Sequence, residues 1–272
     1  MKTKTRAFLK WAGGKYALVE EIARRLPQSE RLVEPFVGAG SVFINTDYSS
    51  YLLSDINPDL INLYKTIQSQ PDHYIHEAAK LFVPGNNDKA RYYDLRAEFN
   101  QTQDTFERAV MFLYFNRHGY NGLCRYNKKG GFNVPFGSYK KPYFPEKELN
   151  FFAEKAQRAT FICADYRTTF EQVRTGDAVY CDPPYLPLSA TASFTSYASG
   201  GFNMDAQQGL ADCANDAAEL GASVLISNHD TPQAREIYQN ASYQDFLMVK
   251  RTISQKGAGR KKVNEIFARY GN

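Results

Sequence analysis

The sequence predicts an α/β fold: a mostly parallel sheet with helices on both faces, an antiparallel edge strand, and an inserted subdomain of helices and a β-hairpin. Two observations predict it. Short apolar runs of strand type alternate with helical stretches at both ends of the 272-residue chain, and strands separated by helices usually pair in parallel beneath those helices. The stretch from Asp59 to about Lys147 lacks this alternation, which indicates an insertion.

The predicted strands are short apolar runs that end at a polar residue or a turn. The first (31–37) breaks into a glycine turn, after which we expect Ser41 to cap a helix. The second (51–57) carries an acid near its end, and Asn57-Pro58 opens the next helix. The same pattern returns at 160–165, 177–182 and 223–228, with helices predicted at 146–157 and 204–220.

The last two strands, "DFLMVKR" and "NEIFARY", are separated only by a basic loop. That loop is too short for a helical crossover, which a parallel pair would require. We therefore expect these strands to pair antiparallel and to close one edge of the sheet.

The insertion begins with helices predicted at about 59–69, 88–100 and 104–117. It continues with "RHGYNGLCRYNKKGGFNVPFGSYKKPYF", which is rich in Gly, Asn, aromatic and basic residues. Within it, "NKKGGFN" has hairpin-turn chemistry between two short arms. We therefore expect one domain from residues 1–58 and 146–272, and a second from residues 59–145.

The composition is that of an ordinary globular protein, with 43% hydrophobic and 23% charged residues. No apolar stretch approaches the roughly 20 residues that cross a bilayer, and the start lacks the apolar region of a secretory signal, so we expect a cytoplasmic protein. The four cysteines lie far apart without a C-x-x-C pair, which favours reduced thiols over a zinc site or a disulfide framework.

Two segments are basic and contain no acid. Residues 115–141 hold Arg117, Arg125, Lys128, Lys129, Lys140 and Lys141, and residues 250–262 hold Lys250, Arg251, Lys256, Arg260, Lys261 and Lys262. Such clustering indicates a polyanionic partner. For the first segment, the alternative is a solvated basic hairpin with aromatic side chains packed beneath it.

A glycine turn follows the first strand. Gly38 and Gly40 precede a helix, and in this context backbone N–H groups can approach a ligand closely. Phe43 stands where the dinucleotide-binding fingerprint has its third glycine, which disfavours NAD, whereas Asp55 is placed to accept hydrogen bonds from ribose hydroxyls. The pair predicts a nucleoside site; the alternatives are a tight structural turn and a helix N-cap at Asp55.

Lys15 follows two glycines, as in a phosphate-binding loop. Tyr16 stands where that loop has Ser or Thr for magnesium, so we do not expect ATP hydrolysis. Taken by itself, Lys15 is expected to be a solvated lysine that opens the next helix.

The stretch "VYCDPPYLPL" puts Asp182 at the carboxyl end of a strand, where ligands of α/β sheets bind. Pro183 and Pro184 have fixed φ angles, so the Pro183 carbonyl is an acceptor with a defined direction. Asp182 and that carbonyl offer two acceptors to one NH₂ group and favour a pyramidal nitrogen whose lone pair can attack. Tyr185 can stack on the ring that carries the amine. The pattern predicts methyl transfer to a planar amino group; the alternative is a proline-rich turn with Asp182 as a helix cap.

These motifs carry a family resemblance. "FLKWAGGK", "FVGAG", "SDIN" and "DPPY" are similar to adenine-specific DNA methyltransferases whose cofactor motif comes first, recognition region next and catalytic motif last. "NRHGYNGLCRYN", "FNVPFGSYKKPYFP", "LISNHDT" and "RKKV" resemble the Dam-type enzymes that methylate adenine in GATC, and the resemblance spans nearly the whole chain. It implies a Rossmann-like methyltransferase in which 1–58 and 146–272 form the catalytic domain and 59–145 the target-recognition domain.

The resemblance implies S-adenosylmethionine as cofactor, with S-adenosylhomocysteine as product. The residues that match the family's positions around it are Trp11, Lys15, Phe36, Asp55 and Asp182. Gly38 and Gly40 form the matching turn, and Asp165-Tyr166 occupies the place where this broad class contacts the cofactor adenine. The resemblance thus moves Lys15 from the solvent to the cofactor site.

The resemblance also implies that the target adenine is rotated out of duplex DNA, at the cost of unstacking it. Tyr120 and Asn121 match residues inserted at the flipping site, and Arg125 matches the reader of a guanine edge. Further matches are Leu123 and Pro135 at thymine methyl groups, Lys10 at the outer guanine, and Tyr139, Lys140 and Lys141 at the backbone. Arginine is the usual bidentate reader of guanine, and apolar side chains suit thymine methyls.

Other functions stay open from the sequence. Asp182 to Tyr185 alone would also suit a cytosine amino methyltransferase or an enzyme acting on structured RNA. A non-catalytic DNA-binding protein would keep the fold without needing that stretch. We expect a monomer that binds GATC duplex DNA, needs no metal or membrane, and acts in the bacterial cytoplasm at the nucleoid or is phage-encoded.

Overall fold

The strands of the chain form one mostly parallel sheet with an antiparallel edge. The computed structural model describes residues 4–186, 202–250 and 262–271. Its strands are β1 (Arg31–Glu34), β2 (Ser50–Asp55), β3 (Ala159–Cys163), β4 (Ala178–Cys181), β5 (Ser223–His229), β6 (Tyr243–Lys250) and β7 (Lys262–Tyr270). The seven strands have the order β3-β2-β1-β4-β5-β7-β6. Neighbours among β2, β1, β4 and β5 pair in parallel, and β7 pairs antiparallel with both β5 and β6. The predicted α/β class is confirmed.

The longer predicted helices are confirmed within about two residues. The helices are α1 (Val19–Arg25), α2 (Ser41–Asn45), α3 (Pro58–Ser69), α4 (Pro71–Lys80), α5 (Lys89–Gln101), α6 (Thr105–His118), α7 (Glu146–Ala156), α8 (Tyr166–Phe170), α9 (Met204–Glu219) and α10 (Pro232–Ile237). Sequence reasoning misses three helices. It misses α4 because only Gln70 separates that helix from α3, and it misses α8 and α10 because they are too short to show a helical period. Among the described helices, none combines the length and apolar character that crossing a bilayer requires.

One predicted helix cap is right and one is wrong. Ser41 does not cap α2, because Gly40 takes the N-cap position with a left-handed φ of 70°, which glycine adopts without steric cost. Asn57 does cap α3: its side-chain oxygen accepts the N–H of Asp59 at 3.0 Å, and Pro58 is the first helical residue. Because Asn57 holds this position, the alternative reading of Asp55 as the cap is excluded.

The carboxyl ends of β1 and β4 lie where the strand order reverses. These two strands pair in parallel, and in open α/β sheets ligands bind outside the carboxyl ends at such a switch point. β1 ends at Glu34, three residues earlier than predicted, since Pro35 has no N–H to donate to a ladder. β4 ends at Cys181, directly before Asp182. The fold thus places Asp182 directly after the carboxyl end of β4, at this switch point.

The central strands are covered on both faces. Every residue of β4 is buried, as is every residue of β5 except the last. Consecutive strand side chains point to opposite faces. Burial of consecutive residues therefore means that both faces are covered, as expected of a parallel sheet.

The chain divides into two compact units. Unit 1 comprises Met1–Ala23, Val37–Asp47 and Asp55–Cys163, and unit 2 comprises Arg24–Phe36, Tyr48–Ser54 and Ala164–Asn272. Unit 1 contains the glycine turn, Asp55 and the first basic segment. Unit 2 contains the Asp182 to Tyr185 stretch.

The second basic segment is described only at its ends. Lys250 is the last residue of β6 and Lys262 the first of β7. Arg251, Lys256, Arg260 and Lys261 lie outside the described residues. Their role at a polyanion stays a prediction.

Candidate active site

The glycine turn of unit 1 is held by Asp55, the last residue of β2. The N–H of Gly38 donates to Oδ2 of Asp55 at 3.1 Å, and the Tyr64 hydroxyl donates to the Gly38 carbonyl. Gly38 has a φ of 48°, and a Cβ built on it would lie 2.9 Å from Nε1 of Trp11. The position therefore requires glycine, both for its backbone conformation and for the packing of the indole.

The Asp55 carboxylate has acceptor capacity beyond its contacts with the backbone. Its Oδ1 accepts the N–H of Asn57 at 2.9 Å, and its Oδ2 accepts that of Gly38. Burial raises the pKa of Asp55, and backbone hydrogen bonds from Asn57, Gly38 and Ile56 act in the opposite direction. The bonds from Asn57 and Gly38 use one lone-pair site on each carboxylate oxygen, and a carboxylate has about four such sites, so each oxygen keeps a site for a hydroxyl donor. These two acceptors suit the diol of a ribose.

Lys15 is buried, so the expectation of a solvated lysine is wrong. It begins a 3-10 turn, Lys15–Ala17, and its ammonium donates to the Gly13 carbonyl at 3.2 Å. Burying a charged amine costs free energy unless the group is hydrogen-bonded. The role of Lys15 at a cofactor stays a prediction.

In unit 2, Asp182 is anchored to the neighbouring strand β5. The Ser227 hydroxyl donates to Oδ1 of Asp182 at 3.2 Å and lies 2.9 Å from the hydroxyl of Tyr180. Both Ser227 and Tyr180 are buried. Residues 183–186 are not helical, which excludes the alternative of a helix cap. Contacts within two strands thus orient the carboxylate, although the sequence motif contains no sign of Ser227.

The Tyr185 side chain is fixed by Glu265 and His229. Its hydroxyl donates to Oε2 of Glu265 at 3.0 Å, and its ring meets the His229 ring edge-on with 4.7 Å between centroids. Burial raises the pKa of Tyr185, and the negative charges of Asp182 and Glu265 add to that rise. The hydroxyl therefore stays protonated at neutral pH and holds the ring in one orientation.

Three aromatic side chains of unit 2 form a cluster. Phe36 and Tyr166 stack with centroids 5.8 Å apart, and Phe202 meets each of them edge-on at 5.5 Å. Tyr166 begins α8, whose N-cap Asp165 accepts the N–H of Arg167 at 3.0 Å. Tyr166 is buried, whereas Phe36 and Phe202 are half-buried, so these two rings keep aromatic surface on which a planar heteroaromatic ring can stack. Sequence reasoning misses Phe202, because it lies in a loop without a motif.

The predicted hairpin of unit 1 forms through isolated bridges rather than long strands. Gly119 pairs with Phe136, and Tyr126 pairs with Phe132. At the tip, the side-chain oxygen of Asn127 accepts two backbone N–H groups, at 2.9 and 3.1 Å. Side-chain to backbone bonds of this kind are typical of asparagine in turns. The predicted hairpin turn is therefore confirmed.

Aromatic side chains lie beneath the hairpin, as the alternative reading expected. The Phe132 ring lies 5.6 Å from that of Phe99 and 5.1 Å from that of Phe115, between centroids. The Tyr92 hydroxyl donates to the Val134 carbonyl at 3.0 Å. The basic side chains Lys128, Lys129, Lys140 and Lys141 are exposed. The hairpin thus has an aromatic underside and a basic surface, and the packing leaves that surface accessible to a polyanion.

Three predicted DNA-contacting residues meet although they are distant in sequence. The Lys10 ammonium lies 3.8 Å from the centroid of the Tyr139 ring, and the Tyr139 hydroxyl accepts the N–H of Asn121 at 3.0 Å. Burial lowers the pKa of Lys10, and the charge of Arg117 adds to this effect.

Asn121 has a φ of 53°, uncommon for a residue other than glycine, and the adjacent Tyr120 is 51% exposed. An exposed ring beside an unusual backbone is compatible with insertion into a base stack.

Arg125 folds back onto the hairpin. Its guanidinium donates to the Asn133 carbonyl at 2.7 Å through Nη2 and at 3.3 Å through Nε. Leu123 is half-buried, and Pro135 is exposed. Reading a guanine would require Arg125 to exchange the Asn133 carbonyl for the acceptors on the base edge.

Two contacts join this hairpin to the start of α3. Nδ2 of Asn57 lies 3.2 Å from Sγ of Cys124, and the Tyr126 hydroxyl donates to Oδ2 of Asp59 at 2.5 Å. Sequence reasoning misses both, because each joins residues 67 positions apart. The segment after β2 is therefore tied to the residues on either side of Arg125.

Removing the Tyr126 hydroxyl is expected to destabilise the protein. Asp59 would keep its ion pair with Arg108 at 2.8 Å but lose one hydrogen bond to a charged acceptor, worth about 2 kcal/mol. We expect Tyr126→Phe to lower the free energy of unfolding by that amount in urea denaturation. Tyr93→Phe is the matched control, because Tyr93 is also partly exposed, and its expected change is under about 0.5 kcal/mol. Equal losses in the two variants would show that the Asp59 contact contributes nothing.

Comparisons with known proteins agree with one another. Residues 11–254 match the family described as D12 class N6 adenine-specific DNA methyltransferase. The chain is 63% identical over 268 residues to a Vibrio cholerae protein named DNA adenine methylase, covering 98% of this chain and 96% of that one. A protein of the same name from Escherichia coli K12 is 57% identical over 267 residues, covering 98% of this chain and 96% of that one. Another from Serratia marcescens is 55% identical over 268 residues, covering 98% of this chain and 99% of that one. The matched residues include the glycine turn, the hairpin and the Asp182 to Tyr185 stretch.

Proposed function

Because the chain belongs to the D12 class of N6 adenine-specific DNA methyltransferases, we propose that it methylates adenine in duplex GATC, with S-adenosylmethionine as donor and with the base rotated out of the helix. The observation that carries the chemical part is Asp182, held by Ser227 at 3.2 Å beside two prolines. The part that concerns GATC rests on the hairpin around Arg125 and on the sequence resemblance.

The residues present fit S-adenosylmethionine. Asp55 has acceptor capacity for two ribose hydroxyls, and the Phe36, Tyr166 and Phe202 cluster suits the adenine ring. When bound, this cofactor supplies a methyl group on a sulfonium sulfur, which is already a good electrophile and leaving group. We therefore propose that the reaction needs neither a metal nor a covalent enzyme intermediate. By resemblance, the remaining cofactor residues are Trp11, Lys15, Gly38, Gly40, Asp165 and Asp182.

Asp182 and the Pro183 carbonyl are proposed to accept hydrogen bonds from the two N–H groups of the adenine 6-amino group, which loses one of its two protons after the nitrogen has gained the methyl group. The lone pair of an aromatic amine is delocalised into the ring, so the amine is a poor nucleophile. Two acceptors favour the pyramidal nitrogen of the transition state over the planar ground state. Among the hydrogen bonds of the described residues, none is donated to the Pro183 carbonyl, which supports its availability. Tyr185, held by Glu265, would stack on the base.

Residues 59–145 are proposed to form the target-recognition domain. Their exposed basic residues would bind phosphates, and an inserted side chain would offset the cost of unstacking. The proposed contacts are Tyr120 and Asn121 at the flipping site, Arg125 and Lys10 at guanines, Leu123 and Pro135 at thymine methyls, and Tyr139, Lys140 and Lys141 at the backbone. We further propose that the protein acts as a monomer.

Arg125→Ala is expected to relax base choice. Loss of a bidentate contact to guanine costs about 2 kcal/mol of discrimination, or roughly 30-fold. The measurement compares methylation rates on a GATC duplex and on duplexes with one base pair of that site replaced. Lys128→Ala is the matched control: Lys128 is an exposed base at the hairpin tip, and its loss should weaken binding uniformly across sequences. Unchanged selectivity in Arg125→Ala would show that Arg125 does not read a base.

One assay tests the proposed function. The protein is incubated with methyl-labelled S-adenosylmethionine and with a GATC duplex, a GTAC duplex, or RNA of the GATC sequence. We expect label only in the GATC duplex, which then changes its sensitivity to nucleases that discriminate methylated GATC. Equal label in the GTAC duplex would contradict the GATC specificity. Label confined to RNA would favour an enzyme acting on RNA, and an unlabelled GATC duplex would contradict the proposed function.

A further inference from the structure

A buried polar network surrounds the two residues that flank Tyr185. Nε2 of Gln207 donates to the Pro184 carbonyl at 2.7 Å, and the N–H of Leu186 donates to Oδ1 of Asn228 at 3.0 Å. Both sides of Tyr185 are therefore held by side chains distant in sequence. Three elements supply the network, since Gln207 lies on α9, Asn228 on β5 and Tyr238 directly after α10.

The network is closed on itself. Nδ2 of Asn228 donates to Oε1 of Gln207 at 3.0 Å and to the Tyr238 hydroxyl at 2.9 Å, and that hydroxyl donates to Oε1 of Gln207 at 2.9 Å. Gln207, Asn228 and Tyr238 are each 0% exposed. Buried polar groups are costly when unpaired, and a fully satisfied network of them specifies a single geometry.

His229 extends the same restraint. Its Nδ1 lies 2.6 Å from the Leu186 carbonyl, which can only accept, so Nδ1 is the protonated nitrogen. The His229 ring also meets the Tyr185 ring edge-on. Leu186 thus has its N–H bound to Asn228 and its carbonyl bound to His229. The network binds the backbone of the loop after Asp182 at three points.

We propose that Gln207, Asn228 and Tyr238 are positioning residues that align the Pro183 carbonyl and the Tyr185 ring with the amine of the target base. We name this trio the polar clamp, and its role rests on the proposed function of Asp182 to Tyr185. The clamp occupies the carbonyl of Pro184 and the N–H of Leu186, and it leaves the carbonyl of Pro183 for the substrate. A hydrophobic trio of similar volume could fill the space but could not choose between successive carbonyls.

The expected effect of breaking the clamp is on the chemical step. Gln207→Met keeps a similar volume but removes the donor to Pro184. Because misplacement of a reacting group by about 1 Å can cost roughly 100-fold, we expect the single-turnover rate of methyl transfer to fall 10- to 100-fold. The dissociation constants for DNA and for S-adenosylmethionine should change less than about twofold, since the substitution removes no proposed contact with either ligand.

A second variant separates positioning from mere stability. Gln207→Glu has no donor while ionised, but its protonated acid can donate to the Pro184 carbonyl. Burial raises the pKa of a carboxyl group, so the rate of this variant relative to wild type should rise about tenfold between roughly pH 8 and pH 6. Gln207→Met, which has no proton to gain, should show no such recovery.

The matched control is a buried tyrosine hydroxyl that is distant from the loop in sequence. Tyr238→Phe removes a clamp hydroxyl, whereas Tyr74→Phe removes a hydroxyl that donates to the Ala109 carbonyl at 3.3 Å in unit 1. Tyr74 is likewise 0% exposed. We expect Tyr238→Phe to slow methyl transfer severalfold and Tyr74→Phe to leave it unchanged, although both variants should lose thermal stability.

The substrate for this test is plasmid DNA, which offers adenines both inside and outside GATC. A protein that methylates plasmid adenine outside GATC would contradict the proposed specificity and still permit the clamp comparison. The clamp proposal is overturned if folded Gln207→Met and Tyr238→Phe transfer methyl groups within twofold of wild type. It is equally overturned if Gln207→Glu shows no recovery at lower pH, or if DNA affinity falls by the same factor as the rate.

Discussion

Asp182→Ala is expected to lower the single-turnover rate of methyl transfer by about 10³-fold, while affinity for duplex DNA is retained. The substitution removes one of the two acceptors proposed to hold the adenine amine, in an environment where Ser227 and Tyr180 keep the carboxylate oriented. Preorganised acceptors of this kind act mainly in the transition state. The rate is measured with labelled S-adenosylmethionine, and DNA affinity by fluorescence anisotropy.

Two variants control this result. Asp182→Asn keeps one side-chain oxygen acceptor, so its loss should be smaller than that of Asp182→Ala. Asp216→Ala removes an exposed acid of α9 and should leave the rate unchanged. A rate within tenfold of wild type in Asp182→Ala would remove Asp182 from the chemical step.

Asp55→Ala is expected to weaken binding of S-adenosylmethionine by about 3 kcal/mol, or roughly 150-fold, because each hydrogen bond from a ribose hydroxyl to a carboxylate contributes about 1.5 kcal/mol or more. The loss should fall on cofactor affinity and not on DNA affinity. Trp11 is the chain's one tryptophan and packs against Gly38. Its fluorescence therefore reports on the turn and supplies the titration signal.

The same substitution also removes the acceptor for the Gly38 N–H. Asp55→Asn separates the two effects, since its amide oxygen can still accept from Gly38 while its charge is lost. Asp94→Ala, at an exposed acid of α5, is the control for loss of one negative charge. If Asp55→Ala and Asp55→Asn both bind the cofactor within threefold of wild type, Asp55 does not contact the ribose.

The sequence predicts those parts of the fold that depend on residues close together in the chain. Apolar runs with strand composition mark the strands, and Asn57-Pro58 marks the start of α3, because capping depends on residues within one turn. Ser41 shows the limit. Its chemistry suits a cap, but the left-handed backbone of Gly40 decides where α2 begins, and that conformation is set by the turn around it.

The candidate site likewise has parts that the sequence predicts and parts that it does not. The glycine turn and the Asp182 to Tyr185 stretch are contiguous motifs and can be identified from the chain alone. The groups that hold them are not contiguous: Ser227 lies 45 residues from Asp182, and Glu265 lies 80 residues from Tyr185. Their hydrogen bonds depend on strand pairing, which periodicity does not specify. Lys15 shows that burial, too, depends on contacts that a local pattern does not contain.

The source and position of the transferred methyl group test the central claim most directly. A duplex with adenines inside and outside GATC is incubated with the protein and with S-adenosylmethionine carrying a deuterated methyl group. Sequence-resolved mass spectrometry then locates the label. The account predicts deuterated N6-methyladenine at the GATC adenine and at no other base. Label on cytosine, equal label on adenines outside GATC, or an unlabelled duplex would contradict it.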